Sequence, residues 1–196
     1  MHVFLGITGA SGAPYAARLL EALGAAGCEV GVSASRAGIE VLATELYGDA
    51  RLSPDETMAR FLEHGGSATT LYDPQDWRAP YASGSAKVDA YVICPCSMGT
   101  LGTIASGAMS NLVHRAASVA LKEGRKLVLV PRETPLSEIH LENMLRVRRA
   151  GAVVLFAAPG FYHGAQTMDD LVDFVVARCL DHVGVEHALA PRWGQE

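Results

Sequence analysis

The chain of 196 residues suits one domain with a substantial core, and nothing in its composition requires a second domain. Its formal net charge of -5 argues against a nucleic-acid-binding protein, because no stretch concentrates lysine and arginine as contacts with a phosphate backbone would require. No apolar run reaches the length of a membrane span, and the amino terminus leads directly into a strand pattern with no cleavable leader. We therefore expect a cytoplasmic protein that binds neither nucleic acid nor membrane.

The cysteines at positions 28, 94, 96 and 179 are scattered through apolar sequence. This distribution is typical of small buried side chains and not of a disulfide framework. The histidines and cysteines show no His-x-x-x-His or Cys-x-x-Cys spacing. We therefore expect no structural metal.

The first predicted strand is followed by the glycine-rich turn GASG at residues 9–12 and then by a helical pattern of alanines and leucines. A strand that ends in glycines directly before a helix gathers free backbone N–H groups at the positive end of the helix dipole, which suits a phosphate. Glycines in such turns also serve close packing or a positive φ. Both interpretations remain open for this turn.

A second strand pattern at residues 28–34 ends in hydroxyl side chains, Ser33 and Ser35. NAD-binding folds carry an acidic residue there to hold the ribose hydroxyls, so a nicotinamide dinucleotide is disfavoured. Ser35 is either the N-cap of the helix that follows or a hydroxyl donor to a flavin or phosphate.

Residues 51–82 form the least regular part of the chain. Ser53 opens a short amphipathic helix, and Gly65 and Gly66 follow it as a break. We interpret this segment as an insertion over the edge of the sheet.

A buried strand at residues 88–94 turns through PCSMGT into another helix. The hydroxyls of Ser97 and Thr100 at this helix start either cap it or bind ligand oxygens. A helix at 111–124 and a strand at 126–131 follow, and Arg132 and Glu133 come directly after that strand. Open α/β sheets bind ligands at this end of their strands, so the two charges are either functional or an ion pair or helix cap.

The remaining pattern is a helix over 139–149, a strand over 151–156 and an amphipathic helix from Thr167 that carries Arg178. Strands that alternate with helices and are apolar throughout predict a doubly wound, Rossmann-like or flavodoxin-like parallel sheet with helices on both faces. We assign one domain to residues 1–186 and a tail to 187–196.

Seven segments spread over nearly the whole chain resemble the UbiX-type flavin prenyltransferase family. They are GITGASG (6–12), PCSMGTL (95–101), RAA (115–117), LKE (121–123), LVLVPRETPL (127–136), HLENM (140–144) and PGFYH (159–163). The VPRETPL string with HLENM behind it is highly specific.

The resemblance implies an enzyme that transfers a dimethylallyl group from dimethylallyl phosphate to N5 and C6 of reduced FMN. The product, prenylated FMN, is the cofactor of UbiD-type decarboxylases, and the family is associated with ubiquinone biosynthesis. The resemblance also implies a metal-independent reaction and a trimer-based homododecamer with its sites at subunit interfaces.

Carried over residue by residue, the resemblance implies the following roles. The FMN contacts are Gly9, Ala10, Ser11, Ser35, Ser97, Met98, Gly99, Thr100 and Arg132. The phosphate of the donor is held by Lys122, Arg132, Tyr162 and Arg178. The prenyl pocket is walled by Trp77, Ser83 and Trp193. The catalytic residues are Glu133, which protonates or orients the departing phosphate, Glu45, which removes a proton at the ring, and Ser11, which helps to relay protons.

Each of these residue types also has an ordinary structural explanation. Lys122 suits a solvated helix end, Arg178 a salt bridge, Tyr162 a core aromatic and Glu45 a surface charge. The chain departs from the family after residue 163, where the family usually has a proline two residues on and this chain has Gly164 and Ala165. A looser loop there affects phosphate affinity more than reaction type.

Two other functions compete with prenyl transfer: an FMN-dependent cysteine-type decarboxylase of the same superfamily and a non-catalytic flavin carrier. The decarboxylases carry the motif Pro-x-Ser/Thr-x-Asn-Thr after the strand, whereas this chain has PCSMGT there. They also use a catalytic histidine, and this chain has no histidine in the first helical segment after the second strand. A carrier would need the FMN loops but not Lys122, Glu133, Tyr162 and Arg178 together.

Overall fold

The computed structural model describes residues 1–162 and 164–190. Within them, six parallel strands form one sheet in the order β3-β2-β1-β4-β5-β6. The strands are β1 (His2–Ile7), β2 (Glu29–Ala34), β3 (Thr69–Leu71), β4 (Ala90–Cys96), β5 (Lys126–Pro131) and β6 (Val153–Val154). This is the strand order of a doubly wound Rossmann sheet, and the predicted fold class is confirmed.

Helices cover both faces of the sheet. They are α1 (Ala13–Ala25), α2 (Arg36–Tyr47), α3 (Pro54–Leu62), α4 (Met98–Ser106), α5 (Leu112–Lys122), α6 (Glu138–Arg149) and α7 (Met168–Val183). One core packs α1 and α7 on the sheet, and the other packs α4 and α5 on its opposite face. Because both faces are buried, β1 places Val3, Leu5 and Ile7 in the first core and Phe4 in the second, which explains its unbroken apolar sequence.

The segment at residues 51–82 differs from the predicted insertion. It supplies the edge strand of the sheet, because Val30 of β2 pairs with Thr69 of β3. Two 3-10 turns, Glu63–Ala68 and Pro80–Ala82, flank this strand. β3 has only three residues, none of them buried, so it carries no apolar signal that sequence reasoning can detect.

The far edge is also shorter than expected. The apolar run at 151–156 forms only the two-residue strand β6, although Leu155 N–H still bonds the Leu129 carbonyl of β5 at 2.8 Å. The helix that follows begins as predicted: Thr167 caps α7 in a capping box with Asp170.

The described part of the predicted tail, residues 187–190, packs against the domain. The His187 side chain is 7% exposed, and Leu189 contacts the first core. The four cysteines are buried free thiols, as predicted. Among the helices of the described residues, none has both the length and the apolar character needed to cross a bilayer.

Candidate flavin and donor site

The carboxyl ends of β1 and β4 meet at the point where the strand order reverses, which is where doubly wound sheets bind ligands. Buried Thr8 ties the two ends together. Its N–H and hydroxyl donate to the Pro95 carbonyl at 3.1 and 3.0 Å, and its oxygen accepts from Ser97 N–H at 2.8 Å. The first loop and the turn before α4 are therefore held side by side.

The glycines of the first loop have packing reasons of their own. A Cβ on Gly9 would lie 2.5 Å from the Cβ of Ala37 at the start of α2. Gly12 has a φ of 136°, which other residues rarely adopt. Close approach and positive φ therefore account for these two glycines without a ligand.

Glu45 lies at the start of α1, where the glycine-rich turn suits a phosphate. Its Oε2 accepts from the backbone N–H groups of Gly12 and Ala13 at 2.9 and 2.8 Å. A carboxylate at this position is stabilised by the positive end of α1. Glu45 is exposed, as a surface charge would be, but these two backbone bonds fix its carboxylate close to Ser11.

Two further helices begin at this edge of the sheet. Ser35 caps α2 by accepting from Gly38 N–H at 3.1 Å, and Ser97 caps α4 by accepting from Thr100 N–H at 3.2 Å. The Ser97 hydroxyl also donates to Thr100 Oγ1 at 3.1 Å. The N-capping interpretation of both serines is thus correct. The starts of α2 and α4 both lie at the carboxyl ends of the strands.

The start of α4 leaves room for a ligand to approach the backbone. A Cβ on Gly99 would meet nothing closer than Ser97 Oγ at 4.0 Å. Its neighbour Met98 is buried in the second core and fixes this turn. Cys96 is fully buried in the second core, and burial raises the pKa of its thiol to about 12, which argues against a nucleophilic role.

Arg132 reaches from the end of β5, past β4, to the first loop. Its Nε donates to the Ser11 carbonyl at 3.3 Å. Glu133 is half-buried beside it and accepts from Thr134 N–H at 3.1 Å. Within the described residues neither side chain forms an ion pair, so the ion-pair interpretation of these two charges fails.

This edge therefore gathers the starts of three helices, serine hydroxyls and one guanidinium. N–H donors, hydroxyls and a cation are the groups that hold the phosphate of a nucleotide such as FMN, and the open space over Gly99 leaves its surroundings accessible. The described residues include no group of three or more His, Cys, Asp or Glu side chains placed to hold a metal ion. The donor set fits FMN. The gathered residues are Gly9, Ala10, Ser11, Ser35, Glu45, Ser97, Met98, Gly99, Thr100, Arg132 and Glu133.

Three predicted donor-site residues lie elsewhere, along one flank of α5. Lys122 is the last residue of α5, just before β5 begins. It therefore lies at the amino ends of the strands, whereas Arg132 lies at their carboxyl ends. It pairs with Glu123 and lies beside Gly84, the neighbour of Ser83. Trp77 is 48% exposed. It belongs to the segment from Pro74 to Ala82, which runs alongside α5 and bonds to it at both ends.

Tyr162 and Arg178 lie on the α7 side. Tyr162 is 71% exposed with its ring edge on Phe174, so it is not a core aromatic. Arg178 donates to Asp181 at 2.7 Å, in the salt bridge that the sequence left open. Arg178 also lies toward the amino ends of the strands. At the end of α7, the Val183 carbonyl accepts a hydrogen bond from Lys126, the first residue of β5. Trp193 lies outside the described residues.

Sequence reasoning missed Thr8, which holds the two loops together. Its hydroxyl is buried inside an otherwise apolar strand end, and a polar residue at such a position requires a partner. That position, between an apolar strand and the glycine turn, is the signal that identifies it.

Comparison with known proteins shows the family of this chain. The family model described as Flavoprotein matches residues 1–180. The Pseudomonas aeruginosa flavin prenyltransferase UbiX is 51% identical, over 100% of this chain and 95% of its own length. AnUbiX (PadA1), solved in complex with FMN and dimethylallyl pyrophosphate, is 38% identical with a TM-score of 0.86, over 100% of this chain and 98% of its own.

A third relative is the dodecameric FMN-dependent UbiX-like decarboxylase of Escherichia coli O157:H7. It is 43% identical with a TM-score of 0.86, over 98% of this chain and 99% of its own. The fold, the site and these full-length similarities together show that the chain belongs to the Flavoprotein family and, within it, to the UbiX-type flavin prenyltransferases.

Proposed function

We propose that this protein transfers the dimethylallyl group of dimethylallyl phosphate to N5 and C6 of reduced FMN, without a metal, and supplies the prenylated FMN to a UbiD-type decarboxylase. The observation that carries the proposal is Arg132, which reaches the first loop with Glu133 beside it, at the edge where three helices begin. The relatives named flavin prenyltransferase, and the AnUbiX complex with FMN and dimethylallyl pyrophosphate, support it.

FMN would be held by the residues of this edge. Backbone N–H groups at the starts of α2 and α4 and the hydroxyls of Ser11, Ser35 and Thr100 suit its phosphate and its polar atoms, whereas the Ser97 hydroxyl already donates to Thr100. The start of α1 is less suited to the phosphate, because Glu45 already fills it. Reduced FMN, when bound, supplies the nucleophilic atoms that accept the dimethylallyl group.

The charged residues account for departure of the donor's phosphate. Breaking the allylic C–O bond builds negative charge on the phosphate, which the guanidinium of Arg132 stabilises more strongly in the transition state than in the ground state. Glu133 next to it protonates or orients the departing phosphate. Lys122 and Arg178 supply further positive charge, and the proposal assigns stabilisation of the allyl cation to the indoles of Trp77 and Trp193.

Glu45 is the base in this proposal. Bond formation at a ring carbon releases a proton, and a carboxylate beside the site has to accept it. The bonds from Gly12 and Ala13 hold the Glu45 carboxylate next to Ser11, whose hydroxyl relays the proton.

We propose that the site is completed by neighbouring copies of the chain in a trimer-based dodecamer. Lys122 and Arg178 lie away from Arg132 within one chain, so other subunits have to supply them. The dodecameric relative from Escherichia coli supports this assembly. So does α6, which exposes Ile139, Leu141 and Leu145 to 67, 53 and 49%.

Anaerobic incubation with reduced FMN and dimethylallyl phosphate, followed by mass spectrometry of the released flavin, tests the activity. We expect the flavin to gain one C5H8 unit, and we expect Glu133→Gln to abolish and Arg178→Ala to weaken this gain. Glu138→Gln and Arg51→Ala make the same charge changes at exposed positions and should retain it. Bound FMN whose mass never changes, even with the diphosphate donor, would refute the proposal and favour the decarboxylase or the carrier.

The proposal includes a cytoplasmic location. All four cysteines are buried free thiols, which is typical of proteins in a reducing compartment.

A further inference from the structure

The carboxylate of Asp181 on α7 joins two groups that the proposed mechanism does not connect. Its Oδ2 accepts from Arg178 Nη1 at 2.7 Å, and its Oδ1 lies 3.1 Å from His187 Nε2. The Arg178 side chain is 54% exposed, whereas the His187 side chain is only 7% exposed. An exposed guanidinium is thus linked through Asp181 to a buried imidazole.

The surroundings of His187 define its role in this link. Leu189 N–H donates to His187 Nδ1 at 3.4 Å, so Nδ1 is the acceptor and Nε2 carries the proton that is donated to Asp181. This assignment of the neutral tautomer follows from the hydrogen bonds. Leu189 itself packs on the first core, so the imidazole is fixed from both sides.

We propose that Asp181 and His187 are positioning residues that hold Arg178 in the orientation in which it takes the phosphate of the donor. This inference rests on the proposed function, in which Arg178 binds dimethylallyl phosphate. His187 bonds Oδ1 and one N–H of Arg178 bonds Oδ2, and the guanidinium, which is exposed, has further N–H donors to offer a phosphate. Holding a long, rotamer-rich side chain in advance reduces the entropy lost when the phosphate binds.

The buried imidazole separates this arrangement from an ordinary surface salt bridge. An exposed pair three residues apart on a helix contributes little, because both side chains lose freedom in forming it. Here the carboxylate is already oriented by His187, so only Arg178 has to be ordered. The effect should therefore appear in donor binding and not in the folding of the domain.

The test compares donor binding and turnover in matched variants. Calorimetric titration of dimethylallyl phosphate into oxidised, FMN-loaded protein gives a Kd without turnover, and steady-state assays with reduced FMN give KM and kcat. We expect Asp181→Asn to raise Kd and KM about tenfold, a tenfold change being about 1.4 kcal/mol. FMN affinity should stay within about twofold of wild type, and kcat should fall by less than KM rises, since Arg178 is still present to stabilise the departing phosphate once the donor is bound.

His187 supplies the conservative rescue. His187→Ala removes the donor to Asp181 and should raise Kd severalfold, whereas His187→Gln keeps an N–H near the position of Nε2 and should restore it. Glu186→Gln removes one negative charge from the adjacent exposed position and should change nothing. In Arg178→Ala protein, adding Asp181→Asn should cause no further loss, because the effect passes through Arg178.

Three results would overturn the inference: an unchanged Kd in Asp181→Asn, equal defects in His187→Gln and His187→Ala, or a full additional loss in the double variant. If Asp181→Asn fails to fold, the two His187 variants still decide. Failure of the proposed function is a separate result, because it is read from the mass of the flavin produced by wild-type protein.

Discussion

Replacement of Thr8 by valine should loosen the site and lower stability together. The change keeps the shape of the side chain but removes the acceptor of Ser97 N–H, a 2.8 Å bond. The Pro95 carbonyl retains its bond from Thr8 N–H at 3.1 Å. The substitution therefore leaves one donor, Ser97 N–H, without its acceptor, and leaves no acceptor without a donor. Thr8 is buried and Ser97 is half-buried; an unsatisfied N–H in such a place costs about 1–3 kcal/mol, and we expect the free energy of unfolding to fall by about 2 kcal/mol.

For a chain of this length, that loss lowers the melting temperature by roughly 4–8 °C. FMN affinity should fall by about tenfold, since the first loop and the start of α4 are no longer held side by side. Differential scanning calorimetry and flavin fluorescence titration measure the two effects. Thr8→Ser should behave as wild type.

Thr57 supplies the matched control. It is fully buried, and its hydroxyl donates at 2.9 Å to the Ser53 carbonyl, which also accepts Thr57 N–H at 2.9 Å. Thr57→Val therefore orphans no donor and should cost about 1 kcal/mol or less, with FMN affinity unchanged. If Thr8→Val melts and binds FMN as Thr57→Val does, then Thr8 does not organise the site.

Four further changes test other parts of the account. Gly99→Ala should raise the melting temperature, because alanine favours a helix by up to about 1 kcal/mol and meets no neighbour, yet it should weaken FMN binding in a fluorescence titration; unchanged affinity would show that no ligand approaches there. Glu45→Gln should slow prenyl transfer by about 100-fold in a single-turnover assay, and a normal rate would exclude it as the base. Burial raises the pKa of the Cys96 and Cys179 thiols to about 12, above the ordinary 9.0, so these thiols stay protonated in the folded protein while they ionise in the unfolded chain. Urea unfolding should therefore show stability falling as pH rises above 9, by up to about 1.4 kcal/mol per pH unit for each thiol, and Cys179→Ala should flatten the slope. Ile139→Glu should produce smaller assemblies in light scattering, and an assembly of unchanged size would exclude this face of α6 from the interface.

The order of strands and helices could be predicted from sequence because the central strands are buried on both faces and are apolar throughout. The same reasoning missed β3, which is short and unburied and is held in the sheet by backbone pairing with β2. It also overextended the last strand, since the apolar run at 151–156 is only half-buried beyond Ala152. Apolar pattern reports burial and not backbone pairing.

The candidate site could be predicted in part. That Arg132 and Glu133 follow β5 at the ligand-binding edge is a consequence of parallel topology, which the sequence indicates. The bonds from Gly12 and Ala13 to Glu45 join residues more than 30 positions apart, and no local pattern encodes such a contact. The family resemblance assigns a role to Lys122 and Arg178 but does not indicate where they lie in one chain, which only the directions of α5 and α7 reveal.

A mixed assembly tests most directly the claim that neighbouring chains complete each site. Glu133→Gln and Arg178→Ala chains, each inactive or weak alone, are mixed in equal amounts, dissociated and reassembled, and the flavin formed anaerobically is analysed by mass. If Glu133 and Arg178 of one site come from different chains, roughly one site in four contains both native residues, and prenylated FMN should return to about a quarter of the wild-type yield. If both residues of a site belong to one chain, no site is intact, and a yield no higher than the average of the two separate variants would contradict the account.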